Sequence, residues 1–274
     1  MQPLDDLQHN KAAWDRLAKT GNRFARPANE DDLQNPLASV DGPGWLGKSI
    51  AGKKVLCLAA GGGRQGPIYA AAGAEVTVVD ISSEMLEIDN QVANKFGLNV
   101  RTIQASMDDL SMLGDAIFDI VIQPVSTCYL SQLGNLFPEI ARVTTVGGIY
   151  ISQHKQPTSL QTSIRPGADG YVIESTIDRT DPLPDAKISN LVREPGTLEF
   201  VHSLQAILGG ICHAGFSIRD LIEPQHGDVA ANAGTFEHRS RFVNPYLRIK
   251  AVRDGNGQGN FNNPATKRIW SPGS

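Results

Sequence analysis

The short apolar run Lys54-Val55-Leu56-Cys57-Leu58 passes straight into Ala59-Ala60-Gly61-Gly62-Gly63-Arg64-Gln65-Gly66. A strand that ends in glycines and leads into a helix narrows the possible folds more than any other feature of this chain. Uninterrupted apolar strands belong to parallel sheets covered on both faces, and parallel neighbours need a long, usually helical, crossover. The following residues obey that demand. Glu75-Val76-Thr77-Val78-Val79-Asp80 reads as a second strand, Val100-Arg101-Thr102-Ile103 as a third, Phe118-Asp119-Ile120-Val121-Ile122 as a fourth and Gly148-Ile149-Tyr150-Ile151-Ser152 as a fifth. Between the second and third, Ser82 or Ser83 caps a helix with Glu84 and Glu87 in its first turns. Met85, Ile88, Val92 and Phe96 form its apolar face, and Gly97 stops it. Leu133, Leu136, Phe137, Ile140 and Val143 form a second such face, expected to run to Gly147-Gly148. Regular alternation of this kind implies a doubly wound, mostly parallel α/β sheet. Phe216–Ile222 and Tyr246–Val252 are two closing strands, which brings the expected sheet to seven.

Three regions lie outside this pattern. Residues 1–50 hold an amphipathic helix around Ala13, Trp14, Leu17 and Ala18, then a stretch rich in Pro, Asn and Gly, and read as a helical arm or lid. Residues 154–202, with five prolines, read as an insertion after the fifth strand that lies over the active site, with a strand-like piece at Gly170–Glu174. A helix carrying Leu204, Ile207, Leu208, Ile211 and Cys212 on one side follows. Residues 254–274 read as a flexible tail, which leaves 51–253 as the main domain. The balance of 25 Lys+Arg against 29 Asp+Glu, with no basic block, argues against a nucleic-acid surface. No run of eighteen apolar residues is present, the N-terminus is acidic, and Cys57, Cys128 and Cys212 lack metal-ligand spacing. Together these point to a cytoplasmic protein with no resident metal.

Gly61, Gly63 and Gly66 satisfy G-x-G-x-x-G, so backbone can pass close to a ligand and a helix N-terminus can meet an anion. Asp80, at the end of the second strand, is placed to accept from two ribose hydroxyls. Pyrophosphate of a nicotinamide cofactor and the methionine carboxylate of S-adenosylmethionine both fit such a loop. An NAD(P)-dependent oxidoreductase would also need a Tyr-x-x-x-Lys or a His/Asp pair on the nicotinamide side; the one Tyr-x-x-x-Lys, Tyr246 to Lys250, falls in a closing strand, where side chains four residues apart do not meet as they do on a helix. A non-catalytic cofactor-binding protein is the third reading.

Further motifs separate these. Gln104-Ala105-Ser106-Met107-Asp108-Asp109-Leu110, Phe118-Asp119-Ile120-Val121-Ile122-Gln123-Pro124 and Arg142-Val143-Thr144-Thr145-Val146-Gly147-Gly148 follow the glycine loop in order. With it they resemble the class I S-adenosylmethionine-dependent methyltransferases, over residues 54 to about 153, and most nearly a bacterial branch with a GGGQQ-like loop. The resemblance implies a Rossmann-like fold, S-adenosylmethionine as cofactor and S-adenosylhomocysteine as product. It implies that Ala59, Gly61, Gly62 and Gly63 border the methionine moiety, Asp80 the ribose, Ile81, Ser106 and Met107 the adenine, and Gln123 the methionine end. Three departures stand out: Ala59 for the first family glycine, Cys57 for an acid and Ser106 for an Asp. Alanine at 59 is expected to fit with a negative φ, and Cys57 to be core.

The acceptor is expected to be a small molecule in an enclosed pocket, methylated by in-line displacement, in which alignment and desolvation carry much of the rate. His154, just past the fifth strand, is the leading candidate for a base, and Tyr129 for positioning the acceptor; His202 and Tyr246 are weaker candidates. Glu237-His238-Arg239-Ser240-Arg241 could bind an anionic acceptor or be a solvated patch. The absence of Asn-Pro-Pro-Tyr at the fourth strand argues against DNA adenine methylation.

Overall fold

The computed structural model describes residues 3–21, 26–168, 170–186 and 192–255. Its strands are β1 (Lys54–Leu58), β2 (Glu75–Asp80), β3 (Val100–Gln104), β4 (Phe118–Gln123), β5 (Thr144–Lys155), β6 (Phe216–Ile222) and β7 (Tyr246–Arg253). They form one sheet in the order β3-β2-β1-β4-β5-β7-β6. All pairings are parallel except those of β7, which runs antiparallel to both β5 and β6. The helices are α1 (Pro3–Lys19), α2 (Glu30–Gln34), α3 (Pro36–Val40), α4 (Gln65–Ala71), α5 (Ser83–Phe96), α6 (Leu136–Val143), α7 (Pro157–Gln161), α8 (Gly210–His213) and α9 (Phe236–Arg239). This is the expected doubly wound, mostly parallel seven-stranded sheet.

Strand alternation builds two apolar layers. Leu56, Leu58 and Val121 face one side and meet Leu136, Phe137 and Ile140 of α6. Val55, Cys57, Val78, Ile120 and Ile122 face the other and meet Tyr69 of α4. Cys57 is fully buried, and burial pushes its thiol well above its usual value, so it behaves as core. The ends of α5 follow local chemistry. The Ser82 hydroxyl accepts from the Met85 N–H at 3.1 Å, and Gly97 closes the helix at φ +64°.

Four expectations are corrected. First, α6 ends at Val143, and β5 begins at once at Thr144, whose hydroxyl donates to the Ile140 carbonyl at 2.5 Å. Gly147-Gly148 therefore lies inside β5, where Gly147 takes φ +77° and the step from Thr144 to Ile149 is matched on β4 by that from Phe118 to Ile120. Second, Gly170–Glu174 makes only isolated bridges, because Val172 and Ile173 stand exposed with no layer to cover them. Third, Gln205–Gly209 is a π-helical turn leading into α8; the wider turn buries Ile207 and Ile211 but turns Leu204 outward, so the five side chains do not share one face. Fourth, the stretch after α1 contains α2 and α3, the first held by a capping box between Asn29 and Asp32. Of the tail at 254–274, residues 256–274 lie outside the described residues.

The order of strands reverses between β1 and β4, so the crossovers leave in opposite directions and a crevice opens at their carboxyl ends. No helix among the described residues is long and apolar enough to cross a membrane.

Candidate active site

A cleft of about 430 Å³ occupies that crevice. One wall is built from successive strand tips: Ala59, Ala60 and Gly61 after β1, Asp80 and Ile81 at β2, and Ala105, Ser106 and Met107 after β3. The volume falls within the range of about 300–1,000 Å³ usual for small-ligand sites.

Backbone geometry explains the glycines. A Cβ on Gly61 would lie 2.7 Å from Met85 Cβ and 3.1 Å from Asp80 Oδ2, so only glycine lets the chain pass there. Gly62 and Gly63 take φ +111° and +76°. They do not border the cleft; they are its foundation. The Gly62 N–H donates to the Met85 carbonyl and to Asp89 Oδ2, each at 3.0 Å, and the Gly63 carbonyl accepts from Ala28 at 2.8 Å. Ala59 overturns one expectation: its φ is +47°, in the left-handed region that costs an L-residue roughly 1–2 kcal/mol. Its N–H donates to the Val79 carbonyl at 2.7 Å, which ties the loop to β2 in that conformation.

Asp80 both organises the loop and faces the cleft. Its Oδ2 accepts from the Gly61 N–H at 3.0 Å and its Oδ1 from Ser82 at 2.9 Å. Burial pushes its carboxyl up to about 6; the backbone N–H groups pull it down, while the nearby Asp15 adds to the rise. Asp89, on α5, is fully enclosed beneath the loop, and burial pushes it to about 7. Sequence reasoning missed Asp89, although a signal existed: it lies four residues after Met85, a carboxylate on the core-facing stripe of a helix.

This donor set suits a nucleoside: a strand-tip carboxylate for paired hydroxyls, and Ile81 and Met107 as apolar surfaces for a ring. Of the residues assigned to the cofactor by resemblance, Ala59, Gly61, Asp80, Ile81, Ser106 and Met107 border the cleft. Gln123 does not. It is buried beneath, donating to Ser126 Oγ at 3.0 Å and to Met107 Sδ at 3.4 Å, and accepting from the Tyr150 hydroxyl.

The opposite wall consists of Tyr129, Gln153, Tyr246 and Arg248, with Leu7 and Trp14 of α1 and Glu194 of the insertion. The Tyr129 hydroxyl donates to Glu194 Oε2 at 2.5 Å, and Trp14 packs edge-on against its ring at 5.3 Å. Behind them Lys155 Nζ lies 2.5 Å from Glu194 Oε2 and 3.0 Å from Glu199 Oε2, with all three side chains buried. Asn10 ties α1 to both parts, donating to the Tyr129 and Leu198 carbonyls at 3.0 and 3.1 Å. Glu194, Gln153 and Arg248 were missed, because no local spacing marks them.

His154 is placed elsewhere. It is buried with Nδ1 2.6 Å from Thr127 Oγ1 and Nε2 2.8 Å from Ser152 Oγ, and it does not border the cleft. Burial pushes its imidazole down to about 3, with His202 adding to the effect. The reason is strand parity: Ser152 and His154 turn to the same covered face of β5, while Gln153, between them, faces the cleft. His202 is also off the cleft, bonded to the Leu130 carbonyl at 2.8 Å, whereas Tyr246 borders it. The patch at 237–241 is neither an anion site nor wholly solvated. Arg239 is buried and donates to the Ser159, Thr162 and Ser163 carbonyls, sealing the end of α7.

Residues 56–152 match the family model of the methyltransferase domain. The chain is also 36% identical over 261 residues to the uncharacterized methyltransferase YbaJ of Bacillus subtilis, across 90% of this chain and 98% of that relative. With the strand order and the glycine loop, this makes the chain a member of the class I S-adenosylmethionine-dependent methyltransferases. Among solved structures, an S-adenosylmethionine-dependent methyltransferase from Mesorhizobium loti is similar at TM-score 0.61 and 20% identity, over 81% of this chain and 100% of that one. A geranyl diphosphate C-methyltransferase from Streptomyces coelicolor, determined with geranyl diphosphate, Mg2+ and S-adenosylhomocysteine, is similar at TM-score 0.54 and 16% identity, over 84% and 86%. The cofactor is S-adenosylmethionine.

Proposed function

We propose that this chain transfers the methyl group of S-adenosylmethionine to a small-molecule acceptor by in-line displacement within the cleft. The observation that carries the reading is the two-sided wall: strand tips and glycine loop on one side, and Tyr129, Glu194, Gln153, Tyr246 and Arg248 on the other. Asp80, Ile81, Ser106 and Met107 would hold the nucleoside part and Ala59 to Gly61 the amino-acid part. The bound cofactor supplies an electrophilic methyl on a sulfonium. The residues present then align the acceptor and exclude water, which suits a displacement whose rate depends on geometry.

Residues 1–50 and 154–202 act as covers in this reading, supported by Leu7, Trp14 and Glu194 on the wall. A cleft of about 430 Å³ favours a small acceptor over a protein or nucleic acid. Free Cys57, Cys128 and Cys212 support a reducing, cytoplasmic setting. Parallel calorimetric titrations with S-adenosylmethionine, S-adenosylhomocysteine, NADH and NADPH test the reading. Binding of the two sulfur ligands alone, at micromolar affinity, is expected; binding of a nicotinamide alone would overturn it.

A further inference from the structure

Resting on that reading, we propose that Glu194 is the acceptor-side catalytic base, and that the acceptor is therefore a protic nucleophile, an alcohol, phenol or amine. Glu194 sits on the cleft wall with only 3% of its surface exposed. Its two carboxylate oxygens have different surroundings. Oε2 is pinned by the Tyr129 hydroxyl and by Lys155 Nζ, both at 2.5 Å. Oε1 receives no hydrogen bond among the described residues. A nearly buried carboxylate on a cleft wall, with one oxygen saturated and the other without a partner among the described residues, offers a single acceptor position, and the group that completes it is a hydrogen-bond donor.

The surroundings explain how such a carboxylate can stay there. Lys155 bridges Glu194 and Glu199, and Arg193 Nε lies 3.5 Å from Glu199 Oε1, so two cations balance two carboxylates. The Glu194 N–H donates to Glu199 Oε1 at 3.2 Å, which locks the backbone that carries the base. Tyr129 and Lys155 are positioning residues: they hold Oε2 so that Oε1 faces the cleft. As the lone pair of the acceptor oxygen or nitrogen forms its bond to the methyl carbon, the carbon–sulfur bond breaks and its electrons stay on sulfur. The acceptor proton passes to Glu194 Oε1 and from there to water.

Sinefungin, which carries an amine where S-adenosylmethionine carries its methyl sulfonium, tests this without a known acceptor. Calorimetry on the wild-type chain is expected to show sinefungin binding about tenfold or more tighter than S-adenosylhomocysteine, the gain from a charge-assisted hydrogen bond. Glu194→Gln should erase that preference while S-adenosylhomocysteine affinity holds within about twofold. Glu174→Gln, at an exposed carboxylate off the cleft wall, should keep it. A preference that is absent in the wild type, or that survives in Glu194→Gln, overturns the proposal. A crystal structure of the wild-type chain with sinefungin decides the matter even where the variant does not fold. An amine nitrogen within about 3.2 Å of Oε1 supports the base, and an amine bonded elsewhere overturns it. Failure of both ligands to bind the wild type would instead overturn the methyltransferase reading beneath.

Discussion

The two walls of the cleft are built by different physics. The wall of strand tips is made of backbone: left-handed glycines and N–H groups that Asp80 and Asp89 gather from below. Its parts come from a continuous region of sequence and a repeated β-α unit. The opposite wall is made of side chains brought from α1, the end of β5, the segment between α7 and α8, and β7, and joined by the buried group of Tyr129, Lys155, Glu194 and Glu199. Conformation holds the first wall and charge pairing the second. Substitution of a few side chains would reshape the second while leaving the first in place.

The largest effect is expected where charge pairing is broken. Lys155→Met leaves Glu194 and Glu199 buried without their shared cation and should cost about 3–5 kcal/mol. A thermal melt should show that as a drop of about 10 °C. A change of only a degree or two would mean that the charged group does not hold the acceptor side together.

A smaller effect is expected on the cofactor side, and it depends on pH. With its carboxyl raised to about 6, Asp80 is ionised above that pH and protonated below it. A proton on Asp80 must leave before both oxygens can accept ligand hydroxyls. The dissociation constant for S-adenosylhomocysteine should therefore rise as pH falls, by about tenfold between pH 7 and pH 5. Asp80→Asn should weaken binding by about 1–3 kcal/mol and flatten the pH curve. A calorimetric series in which Asp80→Asn keeps the same slope would move the titration to another group, Asp89 first.

The smallest effect is a gain. Ala59→Gly relieves the left-handed φ of +47° at the price of a floppier unfolded chain, and should stabilise the fold by about 0.5–1 kcal/mol. Chemical denaturation would detect it; a loss of stability would show that the methyl packs well enough to outweigh the strain.

How far each wall could be read from sequence follows the same division. The strands around Leu56, Val78 and Ile120, the Ser82 cap and the Gly97 stop were legible because their signals are local: apolar runs, a hydroxyl before a helix, a glycine after it. Asp80 was legible because it ends a strand. His154 shows where this stops. A histidine directly after a strand core is conspicuous, but whether it faces the crevice depends on strand parity, and β5 runs on to Lys155, so its neighbour Gln153 has the outlook instead. Glu194 left no signal at all, since its place comes from Lys155 and Tyr129, which are 39 and 65 residues away.

The sequence alone determined the alternation of strand and helix, the glycine loop at a strand tip and the acid one strand away, because each is an interaction between residues close along the chain. Only the tertiary structure decided that Ala59 bears a left-handed backbone, that His154 is sealed in the sheet, and that Glu194 faces the cleft with one oxygen to spare. Those outcomes rest on which distant side chains pack or pair with which. In a dense interior of low dielectric, a neighbour brought from far along the chain changes burial and charge more than any adjacent residue can.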